Sequence, residues 1–440
     1  MPETPRPVSP DRVERRWPLL LATVVALGLV VRTGYVLLVV RHTAPGLDAV
    51  WYQLQGSSIR QGTGYVVPNG LFTGRTVPTA GFPPVYPAYQ AAWQWCFGPG
   101  PTSVRLAGLV PGGVTIALAG LLGRSVAGAR VGLLAALLVA LDPTLIAVDG
   151  ATMSENVTVP LVLVAVLLGH RVATSGTRTT RVVALGLVCG LAATSRQDLL
   201  LLLPLVAAPA VLWAPPSGWR TGLPRRAGAL AAAMVLAALV VLPWAVRNER
   251  EVGAFTVSTT SPSSALAGSN CERTFYGADL GGWSFACVAE ATGPPGAAES
   301  EVASRQQHAA ATYVRNHLGR LPVVLVARQG RVWSLWSPTD LARRDAEESR
   351  RYGWQLATEP VAAALSVVGA IGLVGLVRRH GRRTLLVVVP PVLVVVTAAV
   401  THGNPRFAAI AHPVLALGVA GLVDRWWCRR RAPTVPLELS

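Results

Sequence analysis

The chain alternates long apolar runs with polar connections. Ten segments consist almost entirely of apolar residues, and they lie at 17–41, 103–123, 129–148, 157–173, 181–195, 199–213, 227–245, 357–377, 384–400 and 407–423. A helix of about 20 apolar residues crosses the hydrocarbon core of a bilayer. The pattern therefore predicts an all-α integral membrane protein with about ten transmembrane helices, and an even number of crossings places both termini on one side.

Two of the predicted outer connections are long. The first, 42–102, contains the aromatic stretch FPPVYPAYQAAWQWCFG at 82–98, which is too short to cross and is expected to lie as a helix at the membrane surface. The second, 246–356, follows the seventh span and is richer in Ser, Gly and charge. We expect an N-terminal transmembrane module at 1–245, an extracytoplasmic region at 246–356 and C-terminal transmembrane helices at 357–440.

The composition agrees with this pattern. The 440 residues are 51% hydrophobic and 14% charged, with a mean hydropathy of +0.45, which is typical of a polytopic membrane protein rather than a soluble domain. The first apolar run is too long for the core of a signal peptide, and no small-residue cleavage site follows it. We therefore expect it to remain as a helix.

The distribution of charge predicts the orientation. The formal net charge is +17, and all 39 basic residues are Arg. With the N-terminus inside, most of the net positive charge falls on the inner connections and tails, as the positive-inside rule requires, and most of the 22 carboxylates fall outside. The sequence thus predicts a cell-membrane protein with cytoplasmic termini and an extracytoplasmic active site. The sequence has no basic patch combined with base-stacking aromatic residues, so it does not indicate nucleic-acid binding.

Cysteine placement agrees with that orientation. Two of the five cysteines, Cys271 and Cys287, lie close together in the second outer connection, where an exported compartment permits a disulfide. Their spacing is not that of a zinc site, which needs further ligands nearby.

Asp48 is the first candidate for chemistry. It lies about one helical turn beyond the first span and next to the amphipathic stretch AVWYQLQGSSIRQG. A carboxylate at this interface can meet a lipid headgroup on one side and a water-borne molecule on the other. The alternative is an ordinary solvated aspartate. Tyr52 and Tyr86 of the same connection are candidates to line a substrate.

A second acidic cluster lies in AVDGATMSENVTVP, between the third and fourth spans. Asp149 and Glu155 flank a short outer connection that contains no Arg. Glu155 also suits the first turn of a helix, where the helix dipole favours an acidic side chain. Asp149 is either a substrate-lining residue or a plain loop residue.

Three arginines lie at the ends of apolar segments on the predicted outer side, where the positive-inside rule disfavours them. They are Arg196, Arg247 and Arg406. The planar guanidinium binds phosphate through two parallel hydrogen bonds, so a shared anionic partner is one interpretation. Snorkelling of the side chains to lipid headgroups is the other. His402 is a further candidate beside Arg406.

Several motifs, taken together and in their order along the chain, resemble those of a known enzyme family. Asp48 is followed by GTGY, then by GFPPVYPAYQAAWQWCFG with Arg105 soon after, MSENVTVPLVLVAVLL, LAATSRQDLLLLLPL, PWAVRN and HGNPRFAAIAHPVLAL. The set resembles the polyprenyl-phosphate-sugar-dependent glycosyltransferases of the GT-C superfamily, of the protein O-mannosyltransferase and aminoarabinose transferase type, in an actinobacterial-like form. The resemblance covers nearly the whole chain.

The resemblance implies roles for particular residues. Asp48 matches the carboxylate that activates the acceptor, and Glu155 matches an acidic residue of the second outer loop. Arg196 and Arg406 match basic positions near the donor phosphate. Relatives often carry a basic residue before the proline that opens the surface helix, where this chain has Phe82. Arg75 or Arg406 is expected to replace it, with Arg247 and His402 as further phosphate-binding candidates.

The resemblance also implies the reaction. A polyprenyl-phosphate sugar is the donor, a protein, polysaccharide or lipid hydroxyl is the acceptor, and attack opposite the phosphate predicts inversion. No cofactor is certain, although a bound divalent cation would help an ordinary carboxylate to act as a base. The alternatives are a glycolipid transporter or flippase, which also needs many helices and charge at membrane depth, and a scaffold for envelope assembly.

Overall fold

The computed structural model describes residues 12–68, 74, 76–215, 222–294 and 296–431. Apart from one antiparallel bridge between Val66 and Pro78, the regular secondary structure of these residues is helical. The prediction of an all-α fold is therefore confirmed.

The first half of the chain forms a helical module around the first outer connection. Helix α1 continues through a π-helical turn at Tyr35–Val40, and a 3-10 turn at Gln197–Leu201 and a π turn at Leu203–Ala207 precede α10. The helices are α1 (Arg12–Gly34), α2 (Leu47–Arg60), α3 (Val85–Phe97), α4 (Pro101–Leu106), α5 (Leu109–Ala127), α6 (Ala129–Leu141), α7 (Pro143–Gly150), α8 (Glu155–Ser175), α9 (Thr179–Ser195) and α10 (Ala208–Leu212).

The second half begins with a long helix, continues through shorter helices and ends in three further apolar segments. Short 3-10 segments at Leu318–Arg320, Arg382–Val388 and Pro405–Ile410 join or extend them. The helices are α11 (Leu223–Val252), α12 (Pro262–Ser269), α13 (Glu272–Phe275), α14 (Phe285–Thr292), α15 (Glu299–Asn316), α16 (Leu321–Val332), α17 (Pro338–Glu347), α18 (Tyr352–His380), α19 (Val389–Val400) and α20 (His412–Arg431).

Among the described residues, six helical segments are long and apolar enough to cross a membrane, or up to seven if the bent pair α6 and α7 counts as one span. The six are Val13–Val40, Pro101–Ala127, Glu155–Ser175, Leu223–Val252, Tyr352–His380 and Arg382–Val400. The apolar helices at Thr179–Ser195 and Gln197–Leu212 are shorter. The predicted number of ten crossings is not confirmed, but the chain is a multi-pass membrane protein.

The apolar segment at 129–148 is divided into two helices, α6 and α7, by a break at Asp142. The two helices meet at an angle of 55°. Asp142 at the junction accepts hydrogen bonds from the backbone N–H groups of Thr144 and Leu145, and its second oxygen lies 2.7 Å from His412 Nδ1. Asp142 therefore caps α7, and Pro143 at the first position suits the start of a helix.

Small residues bring the C-terminal helices together. A Cβ atom on Gly372 of α18 would lie 2.1 Å from the carbonyl oxygen of Gly418 in α20, and one on Gly369 would lie 2.7 Å from Cβ of Leu415. Glycine at helix contacts allows the close backbone approach that is common between membrane helices. This packing holds α20, and with it the segment that precedes it, against the rest of the bundle.

Residues 246–356, the predicted second outer connection, contain a disulfide. Cys271 and Cys287 form a disulfide across a sequence separation of 16 residues, between α13 and α14. Trp283 lies inside this loop, and its indole N–H donates to the carbonyl oxygen of Ser264 in α12. The disulfide thus fixes a short loop against the start of the outer region.

Replacing both Cys271 and Cys287 with Ser is expected to destabilise the outer region by about 3 kcal/mol, because a cross-link over a loop of this length limits the freedom of the unfolded chain. Denaturant unfolding of the purified protein, followed by protease cleavage within 246–356, measures the change. Cys428→Ser, at an exposed free thiol, is the matched control and should unfold like the wild type. Equal stability of the double variant and the control would contradict the prediction.

Candidate functional site

The start of α2 brings Asp48 to the site. Its first turn contains Asp48, and Gly46 precedes it. The N–H of Gly46 donates to Ser349 Oγ at 2.6 Å, and a Cβ atom on Gly46 would lie 2.1 Å from the carbonyl oxygen of Glu347. Because only glycine fits this close approach, the segment that follows α17 packs directly on the start of α2.

Arg406 lies at the centre of the site, in the 3-10 segment before α20. The side chain of Asn404 caps this segment by accepting from the N–H of Arg406 at 3.0 Å. Arg406 Nη1 lies 3.1 Å from Asp48 Oδ2 and 3.3 Å from Glu348 Oε1, while its Nε lies 3.5 Å from Glu155 Oε1. One guanidinium group thus contacts three carboxylates from three separate parts of the chain.

Arg196 extends the cluster on the other side of Glu155. It ends α9 in an extended conformation, and its Nη1 lies 3.1 Å from Glu155 Oε1. Its Nε and Nη2 each donate to one oxygen of Asp198 at 3.2 Å, and Asp198 also accepts from Thr397 Oγ1 at 2.7 Å. The buried Glu155 therefore bridges two guanidinium groups, and its position at the first turn of α8 is also the one expected from the helix dipole.

An imidazole and an aromatic ring complete the basic side of the site. The guanidinium groups of Arg196 and Arg406 lie 5.0 Å and 5.5 Å from the centroid of the Phe407 ring. The ring of His402 meets the same phenyl ring edge to face at 5.0 Å. Burial, followed by the positive charges of Arg406 and Arg328, holds the pKa of His402 well below its usual value. These surroundings favour the neutral form of His402, which can donate one hydrogen bond.

Several polar atoms of the site are buried without a hydrogen-bond partner among the described residues. They are His402 Nδ1, Arg406 Nε and Glu348 Oε2. Buried polar atoms in native proteins are nearly always satisfied, and exceptions often mark a place for water or ligand. The pKa of Arg406 stays well above its usual value, because the carboxylates of Glu348, Glu155 and Asp48 outweigh the effect of burial.

Aromatic side chains form one wall beside Asp48. The ring of Tyr52 contacts Phe82 at 4.8 Å and Tyr86 at 5.0 Å between centroids, both edge to face. Burial and then the charge of Asp48 raise the pKa of Tyr52 above its usual value. Tyr86 is fully buried behind it, and its hydroxyl oxygen accepts a hydrogen bond from Gln90. Tyr52 thus lies next to the cluster, with Tyr86 supporting it.

Two predicted site residues, Asp149 and Arg247, have their contacts outside this cluster. Asp149 lies in α7 and pairs with Arg32 of α1, whose Nε is 2.6 Å from Asp149 Oδ2. Arg247 in α11 donates to the carbonyl oxygens of Tyr65 and Thr79 at 2.7 Å and 2.6 Å. Arg75 lies outside the described residues. The structure therefore gives Asp149 and Arg247 contacts that hold helices and a loop in place.

Sequence reasoning did not single out Glu348 or Asp198. Asp198 lies in the same SRQD motif as Arg196. Glu348 lies in a run of charged residues, AEESRR, before α18, where several carboxylates look alike. Only the fold shows that Glu348 contacts Arg406 and that its neighbour Glu347 instead packs on Gly46 through its backbone.

Among the described residues, no group of three or more His, Cys, Asp or Glu side chains is arranged to hold a metal ion. A divalent cation at the site stays a prediction from the sequence. The side chains present can do two things chemically. Arg196, Arg406 and His402 can bind an anion, and Asp48, whose side chain is 38% exposed, can reach a molecule from outside.

Comparison with protein families gives a match for part of the chain. Residues 82–246 match the family described as dolichyl-phosphate-mannose-protein mannosyltransferase. These residues include Glu155 and Arg196 but not Asp48 or Arg406. No curated protein matches the chain by sequence.

Solved structures share the fold. The oligosaccharyltransferase AglB from Archaeoglobus fulgidus, in complex with an inhibitory peptide and a dolichol-phosphate, is 14% identical with a TM-score of 0.53, over 98% of this chain and 53% of that chain. The same enzyme in the apo form gives a TM-score of 0.56 at 14% identity, over 96% of this chain and 52% of its own. The chain thus spans about half the length of these relatives, and the predicted GT-C fold is confirmed.

Proposed function

We propose that the protein transfers a sugar from a polyprenyl-phosphate-linked donor to an acceptor hydroxyl outside the cell membrane. The contact between Asp48 and Arg406, which lie 358 residues apart in the chain, carries this proposal. It joins a group that can accept a proton to a group that can bind a phosphate. The family description for residues 82–246 and the GT-C fold support the same class of reaction.

The donor phosphate is assigned to Arg406, Arg196 and His402. Arginine forks bind phosphate oxygens through charge-assisted hydrogen bonds, which strengthen away from bulk water. The buried Nε of Arg406, which has an ion-pair contact with Glu155 but no hydrogen bond, and the buried Nδ1 of His402 lack hydrogen-bond partners among the described residues, and they can serve this ligand. The solved structure of AglB with a dolichol-phosphate supports a lipid phosphate as donor group.

In the proposed reaction the acceptor oxygen attacks the anomeric carbon, and the bond from that carbon to the phosphate oxygen breaks. The electron pair leaves with the lipid phosphate, whose growing charge is stabilised by Arg196 and Arg406. Asp48 takes the proton from the acceptor hydroxyl as the new bond forms. Attack on the side opposite the phosphate inverts the configuration at the carbon.

The acceptor meets the site from the side of the outer connections. We assign the acceptor to a protein hydroxyl, because the matching family acts on proteins by its description and AglB has been solved with a peptide. Residues 246–356 are proposed to select it. In this arrangement the termini are cytoplasmic and the site is extracytoplasmic, as the arginine distribution predicts.

Sugar transfer by the purified protein in detergent tests the proposal. Polyprenyl-phosphate hexoses and pentoses with a labelled sugar are incubated with peptide, polysaccharide and lipid acceptors, and the products are identified by mass. Transfer of label with release of polyprenyl phosphate is expected. A flippase or an assembly scaffold leaves the sugar-phosphate bond intact, so an unchanged donor with every acceptor would overturn the proposal. Mass analysis of envelope glycans after gene deletion then identifies the natural product.

A further inference from the structure

Glu348 shares its guanidinium partner with Asp48. Arg406 Nη1 lies 3.1 Å from Asp48 Oδ2 and 3.3 Å from Glu348 Oε1. Because both oxygens lie next to the same nitrogen, they can be no more than about 6.4 Å apart, the sum of the two distances. The exposed fractions of their side chains differ, at 38% for Asp48 and 21% for Glu348. Asp48 is therefore the more accessible of the two carboxylates.

The two oxygens of Glu348 have different surroundings. Oε1 contacts Arg406 and accepts a hydrogen bond from Asn404 Nδ2 at 2.8 Å, whereas Oε2 is buried without a partner among the described residues. A buried carboxylate oxygen that receives no hydrogen bond gains from protonation, because the resulting hydroxyl is cheaper to bury than a charge. Oε2 is thus the atom on which Glu348 would carry a proton.

The backbone holds Glu348 in this place. The next residue, Ser349, has a left-handed conformation with φ of 73°, which is uncommon for a residue other than glycine. Its Oγ accepts from the N–H of Gly46, and its carbonyl oxygen accepts from Arg105 Nη1 at 3.2 Å. Residues held in this conformation are concentrated at functional sites.

We infer that Glu348 is the final proton acceptor of the site: Asp48 takes the proton from the acceptor hydroxyl and passes it to Glu348. This inference rests on the proposed function. The acceptor O–H bond breaks, the bond from the acceptor oxygen to the anomeric carbon forms, and the lipid phosphate leaves with its electron pair. The proton ends on Glu348 and returns to water when product leaves. Asp48 is then ionised again for the next acceptor.

The charges around Glu348 agree with this role. Burial raises the pKa of Glu348 to about 7, with Arg406 and Arg350 opposing the increase and Asp345 and Asp48 adding to it. Arg406 faces Glu348 from the 3-10 segment before α20, and Arg350 from the segment of Glu348 itself. Asp345 belongs to α17 and Asp48 to α2. A base with a pKa near the working pH combines a useful ionised fraction with a useful proton affinity.

The pH dependence of transfer tests the inference. Because Glu348 must be ionised to accept a proton, kcat/KM of the wild type is expected to rise between about pH 6 and pH 8. Glu348→Gln is expected to lower the rate at the upper end of this range by about tenfold or more and to remove the rise. Glu348→Asp keeps the carboxyl group and should restore a rise with pH, at a reduced rate.

Controls separate this inference from the proposed function. Asp424→Asn, at a partly exposed carboxylate of α20 outside residues 246–356, should match the wild type in both rate and pH profile. Glu348→Gln that keeps the wild-type rise would overturn the role of Glu348, even if its overall rate falls, because a merely structural change does not set an ionisation. The proposed function would survive that result as long as the wild type transfers sugar.

Discussion

Replacement of Asp48 by Asn is expected to lower kcat for sugar transfer by about 10²- to 10⁴-fold, the usual contribution of a positioned general base. Asn has nearly the same shape as Asp but cannot accept a proton. Its side-chain carbonyl can still accept the hydrogen bond from Arg406 Nη1, so the arrangement around the guanidinium should persist. Binding of the donor lipid is therefore expected to remain close to that of the wild type.

The measurement has two parts. Initial rates with a saturating labelled donor give kcat, and equilibrium binding of polyprenyl phosphate gives the affinity for the lipid. Asp424→Asn serves as a control for expression and handling, because that residue is partly exposed in α20 and belongs neither to the cluster nor to residues 246–356. Near-normal turnover of Asp48→Asn, with intact binding, would show that another group takes the proton from the acceptor.

Replacement of Arg406 by Ala is expected to have the largest combined effect on binding and stability. The variant loses the charge that contacts Asp48, Glu155 and Glu348. Removing one partner of a buried charge cluster typically costs about 3–5 kcal/mol, because the remaining charges are left uncompensated. The three carboxylates would then repel both one another and the incoming phosphate, so donor binding should fall below detection.

Arg406→Lys separates the two effects. Lysine keeps the positive charge but not the planar fork. We expect the folded protein to survive while affinity for polyprenyl phosphate falls by about 10- to 100-fold, as for the loss of one charge-assisted hydrogen bond. The exposed Arg315 provides the matched control, Arg315→Lys. Donor affinity that is equal in Arg406→Lys and the wild type would remove Arg406 from the phosphate site.

The sequence predicted the helices well because apolar runs of membrane length leave few alternatives to a helix. The number of membrane crossings is harder to predict from the sequence, because a local helix cap can divide one apolar segment into two helices. Asp142 starts a new helix with a bend of 55° where the pattern shows one continuous segment. The apolar stretch after Arg196 likewise winds through 3-10 and π turns and is shorter than a span.

For the site, motifs indicated the residues but not their partners. Asp48, Glu155, Arg196 and Arg406 were singled out separately, and the fold brings them into one cluster. Their assembly depends on contacts across hundreds of residues, which no local pattern encodes. Glu348 was missed for the same reason.

The sequence also does not show which groups a charged side chain contacts in the folded protein. Asp149 is in a connection without Arg, which suggested a free carboxylate, but Arg32 reaches it from α1. Arg247 has the chemistry of a phosphate ligand, and its Nη1 and Nη2 also donate to backbone carbonyl oxygens. An arginine satisfied by carbonyl groups cannot be told from a ligand-binding arginine by its place in the sequence.

The pair of Arg32 and Asp149 also bears on how the protein is made. Arg32 lies inside the first apolar segment and is almost completely buried, and its counter-ion follows 117 residues later. A single Arg near the middle of a membrane helix costs about 2.5–3.5 kcal/mol to insert. We therefore expect that stable insertion of α1 depends on its contact with α7, whose Asp149 balances the charge of Arg32.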